Sequence, residues 1–187
     1  MSRKELRIAG FGGQGVVLAG HIVGQAASVY DKGFATFTQS YGPEARGGSC
    51  TAEVIVSDES ISYPYLNNPQ VLVIISQESY AKYGQDVTPG TLLIIDPDLV
   101  KPDTGKNKVK FLSIPANRLA REQIGRVVVA NIILLGFLAA VSDIVSPEAL
   151  KASILASVPK GTGDLNMKAF DLGYHYGLEH GSVNSND

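Results

Sequence analysis

A glycine-rich segment near the N-terminus has the spacing G-x-G-x-x-G, in the residues Gly10-Phe11-Gly12-Gly13-Gln14-Gly15. We call it the glycine loop. Between a strand and a helix, glycines at this spacing let backbone N–H groups and a helix N-terminus approach phosphate oxygens. The same glycines permit a tight turn and close helix packing in a protein that binds no nucleotide. The pattern alone leaves three interpretations open: contact with an anion or cofactor, a structural turn, and an NAD site.

An NAD site is the least favoured of these interpretations. It would require Asp or Glu at the end of the second strand, about 20 residues further on, to bind the ribose hydroxyls. The predicted strand ends there in Phe37-Thr38-Gln39-Ser40, and Asp31 comes too early, in the turn before Gly33. We therefore expect weak affinity for NAD.

A second loop, between two predicted strands, combines side chains that folding alone does not require. We call it the second loop, and its sequence is Tyr41-Gly42-Pro43-Glu44-Ala45-Arg46-Gly47-Gly48. The Arg46 guanidinium can donate paired hydrogen bonds to a phosphate or carboxylate, and the glycines let the backbone lie close to a ligand or partner. The alternative is that Glu44 and Arg46 are solvated and the glycines only turn the chain. The candidate contact residues of the two loops are Gly10, Gly12, Gly13, Gln14, Gly15, Tyr41, Gly42, Arg46 and Gly47.

Other kinds of catalytic or metal site are disfavoured by the residues present. With Cys50 as its single cysteine, the chain cannot form an intrachain disulfide, a four-thiolate iron–sulfur cluster or a cysteine-based zinc site. Any such cluster must lie on another protein. The three histidines form no i, i+4 pair, and the sequence has no G-x-S-x-G elbow and no Walker lysine. We therefore expect no catalytic and no metal-ligating residue on this chain.

The elements that position the two loops follow an α/β pattern. Continuous apolar runs at 71–75 and 92–96 are typical of central strands in a parallel sheet that helices cover on both faces. Shorter patterns predict the remaining strands at 6–9, 33–39, 50–56 and 109–112, and helices at 16–27, 117–124, 127–141, 147–157 and 164–176. Together they predict a single Rossmann-like α/β domain with a mostly parallel sheet.

Length and composition agree with one globular domain. The chain has 187 residues, 44% of them hydrophobic and 18% charged, with a net charge of -2. This charge gives no general attraction to nucleic acid or to an anionic membrane, and the apolar stretch at 127–141 is shorter than the roughly 20 residues of a membrane span. The low charged fraction fits long buried strands or a surface covered by a partner. We expect a domain at 1–180, a frayed polar tail at 181–187 and, without a signal-peptide pattern, a cytoplasmic location.

Four segments in the same order resemble the gamma subunit of 2-oxoacid:ferredoxin (acceptor) oxidoreductases. They are the glycine loop with the following Val16-Val17-Leu18-Ala19-Gly20, the run Gln39 to Gly48, the helical stretch Ala130 to Gly136, and the closing Asn166 to Tyr174. The resemblance extends over nearly the whole chain, apart from residues 101–108 and the tail. Four motifs in order are far more specific than a lone glycine pattern.

The resemblance implies a multi-chain enzyme that decarboxylates a 2-oxoacid on thiamine diphosphate, passes electrons through iron–sulfur clusters to ferredoxin or another acceptor, and forms acyl-coenzyme A. Thiamine diphosphate, Mg and the clusters would then belong to alpha, beta or delta partner subunits. The chain most resembles the 2-oxoglutarate type, ahead of the 2-oxoisovalerate and pyruvate types. The two loops would contact coenzyme A or a partner subunit. The alternatives are a stand-alone Rossmann-like nucleotide-binding protein and a non-catalytic interaction protein.

Overall fold

A six-stranded sheet lies at the centre of the computed structural model, which describes residues 3–42, 48–102 and 111–181. Its strands run in the order β2-β3-β1-β4-β5-β6. They are β1 (Lys4–Phe11), β2 (Phe34–Tyr41), β3 (Ser49–Ser57), β4 (Val71–Ile74), β5 (Leu92–Ile95) and β6 (Phe111–Ser113). Strands β1, β4, β5 and β6 are parallel, whereas β3 pairs antiparallel with both β1 and β2. The prediction of a mostly parallel α/β sheet is confirmed.

Helices cover both faces of this sheet. Those of the described residues are α1 (Val16–Gln25), α2 (Gln77–Tyr83), α3 (Ala116–Leu119), α4 (Ala130–Val141), α5 (Pro147–Ser157) and α6 (Gly163–His180). Turns of π-helix extend α1 to Tyr30 and α3 to Ile124. Helices α1, α3, α4, α5 and α6 pack on one face in the larger core, and α2 packs on the other face through Tyr80 and Tyr83. No described helix combines the length and apolar character that a membrane span requires.

The structure adds elements that the sequence patterns did not predict. Helix α2 has seven residues, and only Ser79 among them is buried, so it shows no extended apolar periodicity. Helix α6 continues four residues beyond the predicted end at residue 176. Strand β6 begins at Phe111, and residues 109 and 110 of the predicted strand lie outside the described residues, as do 182–187 of the tail. The boundary at residue 180 therefore stays a prediction.

The start of α5 is hydrogen-bonded to Asp31, the acidic residue in the turn before β2. The Ser146 hydroxyl accepts a hydrogen bond from the Ala149 N–H at 3.1 Å, which makes Ser146 the N-cap of α5. The Asp31 carboxylate in turn accepts from the Ser146 N–H at 2.8 Å and from the Ser146 hydroxyl at 2.6 Å. Asp31 therefore connects the turn before β2 to α5.

Helices α4 and α6 approach each other closely at two glycines. A Cβ atom added to Gly136 would overlap the Phe170 carbonyl oxygen, and one added to Gly173 would overlap the Ile133 carbonyl oxygen. Both obstacles are backbone atoms, which cannot rotate away as a flexible side chain can. The two helices therefore pack at this distance because neither residue has a side chain.

Candidate functional site

The glycine loop lies at the carboxyl end of β1, beside the carboxyl end of β4. From β1 the chain passes through α1, on one face, to β2; from β4 it passes through α2, on the other face, to β5. The gap between these strand ends is therefore a topological switch point, the place where open α/β sheets bind their ligands. The fold therefore places the glycine loop at the position where a sheet of this type most often binds a ligand.

Two glycines of this loop adopt left-handed backbone conformations. Gly13 has a φ angle of 95° and Gly15, which precedes α1, has a φ angle of 74°. A Cβ atom at Gly15 would also overlap the side-chain amide of Asn131, which lies in α4. These two positions therefore require glycine for the turn itself, whatever the loop binds.

The side chain of Gln14 fills the gap between β1 and β4. Its Oε1 accepts a hydrogen bond from the Phe11 N–H at 2.6 Å, and its Nε2 donates to the Ile75 carbonyl at 3.0 Å. One step earlier, the Ile75 N–H donates directly to the Ala9 carbonyl at 2.9 Å. The Gln14 amide thus substitutes for a peptide group and continues the bonding between the two strands where their backbones separate.

The second loop returns to the glycine loop. The Gly12 N–H donates to the Gly48 carbonyl at 3.0 Å, and the Gly42 N–H donates to the Ser49 carbonyl at 2.7 Å. Tyr41, at the end of β2, has 61% of its surface exposed. Arg46 and Gly47 lie outside the described residues. The structure therefore brings the two predicted loops together through Gly12 and Gly48.

The N-termini of α1 and α4 meet at the same place. Asn131, in the first turn of α4, is buried, and its Nδ2 lies 3.4 Å from the Gly15 carbonyl oxygen, to which it donates. Neither helix has a side-chain capping bond, and Val128, just before α4, is 79% exposed. Helix N-termini carry partial positive charge, so this rim favours an anion.

The space beneath the glycine loop is too small for a nucleotide. A cavity of about 10 Å³ lies there, lined by Gln14, Gly15 and Asn131 together with apolar residues of β1, β4, α1 and α4. This is room for one water molecule at most. Any phosphate must therefore contact the outer surface of the loop.

Comparisons with known proteins agree with this geometry. Residues 5–176 match the family model described as pyruvate ferredoxin/flavodoxin oxidoreductase. The chain is 48% identical over 178 residues, 95% of each chain, to the 2-oxoglutarate synthase subunit KorC of Methanocaldococcus jannaschii. It is 31% identical over 180 residues, 91% of this chain and 95% of the other, to the pyruvate synthase subunit PorC of Methanothermobacter marburgensis.

A solved structure shares the fold over the same range. The crystal structure of the keto/oxoacid ferredoxin oxidoreductase gamma subunit from Geobacter sulfurreducens PCA matches with a TM-score of 0.86 and 38% identity, covering 96% of this chain and 99% of that one. The chain belongs to the pyruvate ferredoxin/flavodoxin oxidoreductase family. It is a subunit of a multi-subunit oxoacid:ferredoxin oxidoreductase, and the alternative of a stand-alone nucleotide-binding protein is not favoured.

The family resemblance implies iron–sulfur clusters and thiamine diphosphate in the assembled enzyme, so the metal-ligating side chains of this subunit bear on that expectation. Among residues 3–42, 48–102 and 111–181, no three His, Cys, Asp or Glu residues form a group that could hold a metal ion. Cys50 is buried, and burial raises the pKa of its thiol, so the thiol stays protonated at neutral pH. These residues do not fit a cluster.

Three residues beside the glycine loop, Ser76, Ser79 and Asn131, are not among the candidate contact residues predicted from the sequence. The Ser79 hydroxyl donates to the Gly10 carbonyl at 3.4 Å, and the Ser76 hydroxyl donates to Ser79 at 2.8 Å. In the sequence, Asn131 is a polar residue in an otherwise apolar helix, a pattern typical of a buried amide or an interface contact. Its packing against Gly15 depends on tertiary structure and has no local sequence pattern.

Proposed function

We propose that this chain is the gamma-type subunit of an oxidoreductase that converts 2-oxoglutarate, coenzyme A and oxidised ferredoxin to succinyl-coenzyme A, CO2 and reduced ferredoxin. The observation that carries this proposal is the 48% identity to a 2-oxoglutarate synthase subunit over 95% of both chains, against 31% for a pyruvate synthase subunit. In this proposal the chain contributes binding surface to the enzyme, and no catalytic residue is assigned to it.

The cofactors of this reaction belong to partner subunits in our proposal. Thiamine diphosphate with Mg, and the iron–sulfur clusters, would be held by alpha, beta or delta subunits that bind this chain. The single buried cysteine supports this division, because a cluster commonly needs four thiolate ligands. The cytoplasmic location predicted from the sequence stays a prediction.

The purified single chain is expected to be colourless, without the broad visible absorption of an iron–sulfur cluster. Co-expressed with its partner subunits and recovered through a tag on this chain, it should yield a complex that contains iron, sulfide and thiamine diphosphate. We expect this complex to turn over 2-oxoglutarate faster than pyruvate or 2-oxoisovalerate in a ferredoxin-reduction assay. Stoichiometric iron and sulfide on the single chain would contradict the division of cofactors, and faster turnover of another 2-oxoacid would contradict the substrate.

We further propose that the two loops contact the phosphate groups of coenzyme A or the subunit that binds it. The residues concerned are Gly10, Gly12, Gly13, Gln14, Gly15, Tyr41, Gly42, Arg46 and Gly47. Three observations support this: the loops meet through the Gly12–Gly48 hydrogen bond, two helix N-termini without a side-chain cap converge beside them, and the loops lie at the switch point of the sheet. Within this site Arg46 would supply the positive side chain.

Arg46→Ala in the assembled enzyme is expected to weaken coenzyme A-dependent turnover by roughly 10- to 150-fold, because a charge-assisted hydrogen bond contributes about 1.5–3 kcal/mol. Decarboxylation of the 2-oxoacid and the stability of the subunit should change little. The measurement is kcat/KM for coenzyme A, with Lys168→Ala, an exposed cation on α6, as the matched control. Unchanged kinetics would exclude contact with coenzyme A, and failure of the variant to join the complex would make Arg46 an assembly contact.

A further inference from the structure

Strand β2 forms an open edge of the sheet without the usual protection. Natural edge strands are commonly short, or carry charges, proline or a bulge, because unpaired backbone groups attract other strands. Strand β2 has eight residues, Phe-Ala-Thr-Phe-Thr-Gln-Ser-Tyr, with no charge and no proline. None of its residues is fully buried, whereas most of its neighbour β3 is. The unpaired backbone groups of such a strand are free of the features that usually prevent pairing with another strand.

The hydrogen bonding of β2 to β3 fixes which backbone groups face outward. Gly42 lies opposite Ser49 and donates to it, so even-numbered residues of this strand bond to β3. The N–H and C=O groups of Ala35, Phe37, Gln39 and Tyr41 therefore point away from the sheet. No other strand of the described residues pairs with this side of β2.

A groove runs along the same edge. It has a volume of about 280 Å³ and lies between the α1 side, with His21, Gln25 and Ser28, and the β2 side, with Ala35, Thr36 and Phe37. Among the described residues, the Thr36 hydroxyl oxygen is the single buried side-chain polar atom without a hydrogen-bond partner. Buried hydroxyls normally have partners. Thr36 lies in the edge strand, so a further strand paired with β2 would place side chains beside it.

We propose that a second copy of this chain pairs with β2, antiparallel, around a two-fold axis at Phe37, and joins two six-stranded sheets into one. A two-fold axis perpendicular to the sheet keeps the same faces together and places identical uncharged strands side by side, so no like charges oppose each other. Phe37 then lies opposite Phe37 of the second copy, and Thr36 lies opposite Thr38 of the second copy.

The sequence of β2 fits this register on both faces. Aromatic–aromatic and Thr–Thr pairs are among the cross-strand pairs that stabilise antiparallel sheets. Thr38 of the second copy brings a hydroxyl beside the unpaired Thr36 hydroxyl, and the groove receives the α1 side of the second copy. This pairing depends only on the β2 edge and does not rest on the proposed function.

The first test is the mass of the full chain in solution, by light scattering and sedimentation. We expect a dimer of twice 19.8 kDa. Gln39→Pro removes an outward N–H without removing a bond to β3, and should raise the dimer dissociation constant by about tenfold or more. Gln39→Ala, which keeps the N–H, should leave it unchanged. A monomer at about 100 µM wild-type protein, or equal constants for the two variants, would overturn the proposal.

The register has its own test by disulfide formation. Thr36 and Thr38 of opposite copies form a non-hydrogen-bonded pair, whose Cβ atoms lie close enough for a disulfide. Under mild oxidation a mixture of Thr36→Cys and Thr38→Cys chains should therefore cross-link, whereas neither variant alone should. Wild type is the control for Cys50, which is buried. Cross-linking of Thr38→Cys alone, or none in the mixture, would refute the pairing at Phe37.

Discussion

Gly173→Ala is expected to lower the free energy of unfolding by about 3 kcal/mol, at the upper end of the usual loss from overpacking a core. The added methyl group would overlap the Ile133 carbonyl oxygen in α4, and that backbone is held in a buried helix. Relief requires α4 and α6 to move apart, which would open the packing around Phe137 and Phe170, both fully buried. Urea denaturation, with the slope compared between variant and wild type, measures the loss.

Gly24→Ala serves as the control, and we expect it to raise the free energy of unfolding instead of lowering it. Gly24 lies in α1, and a Cβ atom there would meet the Phe37 Cβ at 3.7 Å and the Val54 Cγ1 at 4.0 Å, which are ordinary contacts. Helix propensity then favours Ala by about 0.8–1 kcal/mol, so Gly24→Ala should stabilise the chain. If both variants lose stability to the same extent, the close approach of α4 and α6 is not the reason for glycine at position 173.

The close packing of α4 and α6 at Gly136 and Gly173 shows what the sequence could and could not predict. The apolar run at 127–141 predicted a buried helix, because apolar residues without a polar face must be covered on all sides. The run did not identify α6 as the covering helix, and neither Gly136 nor Gly173 was distinguished from other glycines. A close approach of two backbones involves residues distant in sequence and leaves no local periodicity.

The sequence patterns located the strands β2 and β3 but could not predict their directions. The patterns at 33–39 and 50–56 correctly indicated strands on either side of the second loop, because β-branched residues and flanking glycines mark strands locally. Composition does not indicate whether a strand runs parallel or antiparallel to its neighbours. The antiparallel β3, inserted between β1 and β2, places Gly48 beside Gly12. The meeting of the two loops was therefore a result of topology that the motifs alone could not reveal.

The glycine loop itself was located correctly, but the role of its side chain could not be derived from the pattern. Gln14 sits at a variable position of G-x-G-x-x-G, which specifies only the glycines. Its hydrogen bond to Ile75 spans 61 residues of sequence and exists because β1 and β4 are neighbours. Contact of Gln14 with a ligand or partner stays a proposal, whereas its structural bonds allow a test on the subunit alone.

Gln14→Glu is expected to destabilise the folded chain by about 3 kcal/mol at neutral pH. A carboxylate still accepts from the Phe11 N–H, but its second oxygen would face the Ile75 carbonyl oxygen with no proton between them. Only the protonated acid can donate there, so the pKa of the new side chain should lie above the value of about 4.3 that it has in the unfolded chain. A folded chain that binds the proton more tightly gains stability as pH falls.

The loss should therefore be complete above the folded-state pKa and should diminish as the pH falls from there toward about 4.3. Gln14→Ala provides the comparison, because it leaves the Phe11 N–H and the Ile75 carbonyl unpaired at every pH and introduces no titrating group. Urea denaturation of both variants at several pH values, referred to wild type at each pH, gives the two profiles of stability loss against pH.

Equal losses for Gln14→Glu at all pH values would mean that its second oxygen turns toward solvent and that the amide does not join β1 to β4 as described. A pH-dependent loss confined to Gln14→Glu would instead establish the amide as part of the sheet, independently of any ligand that the assembled enzyme binds at this rim.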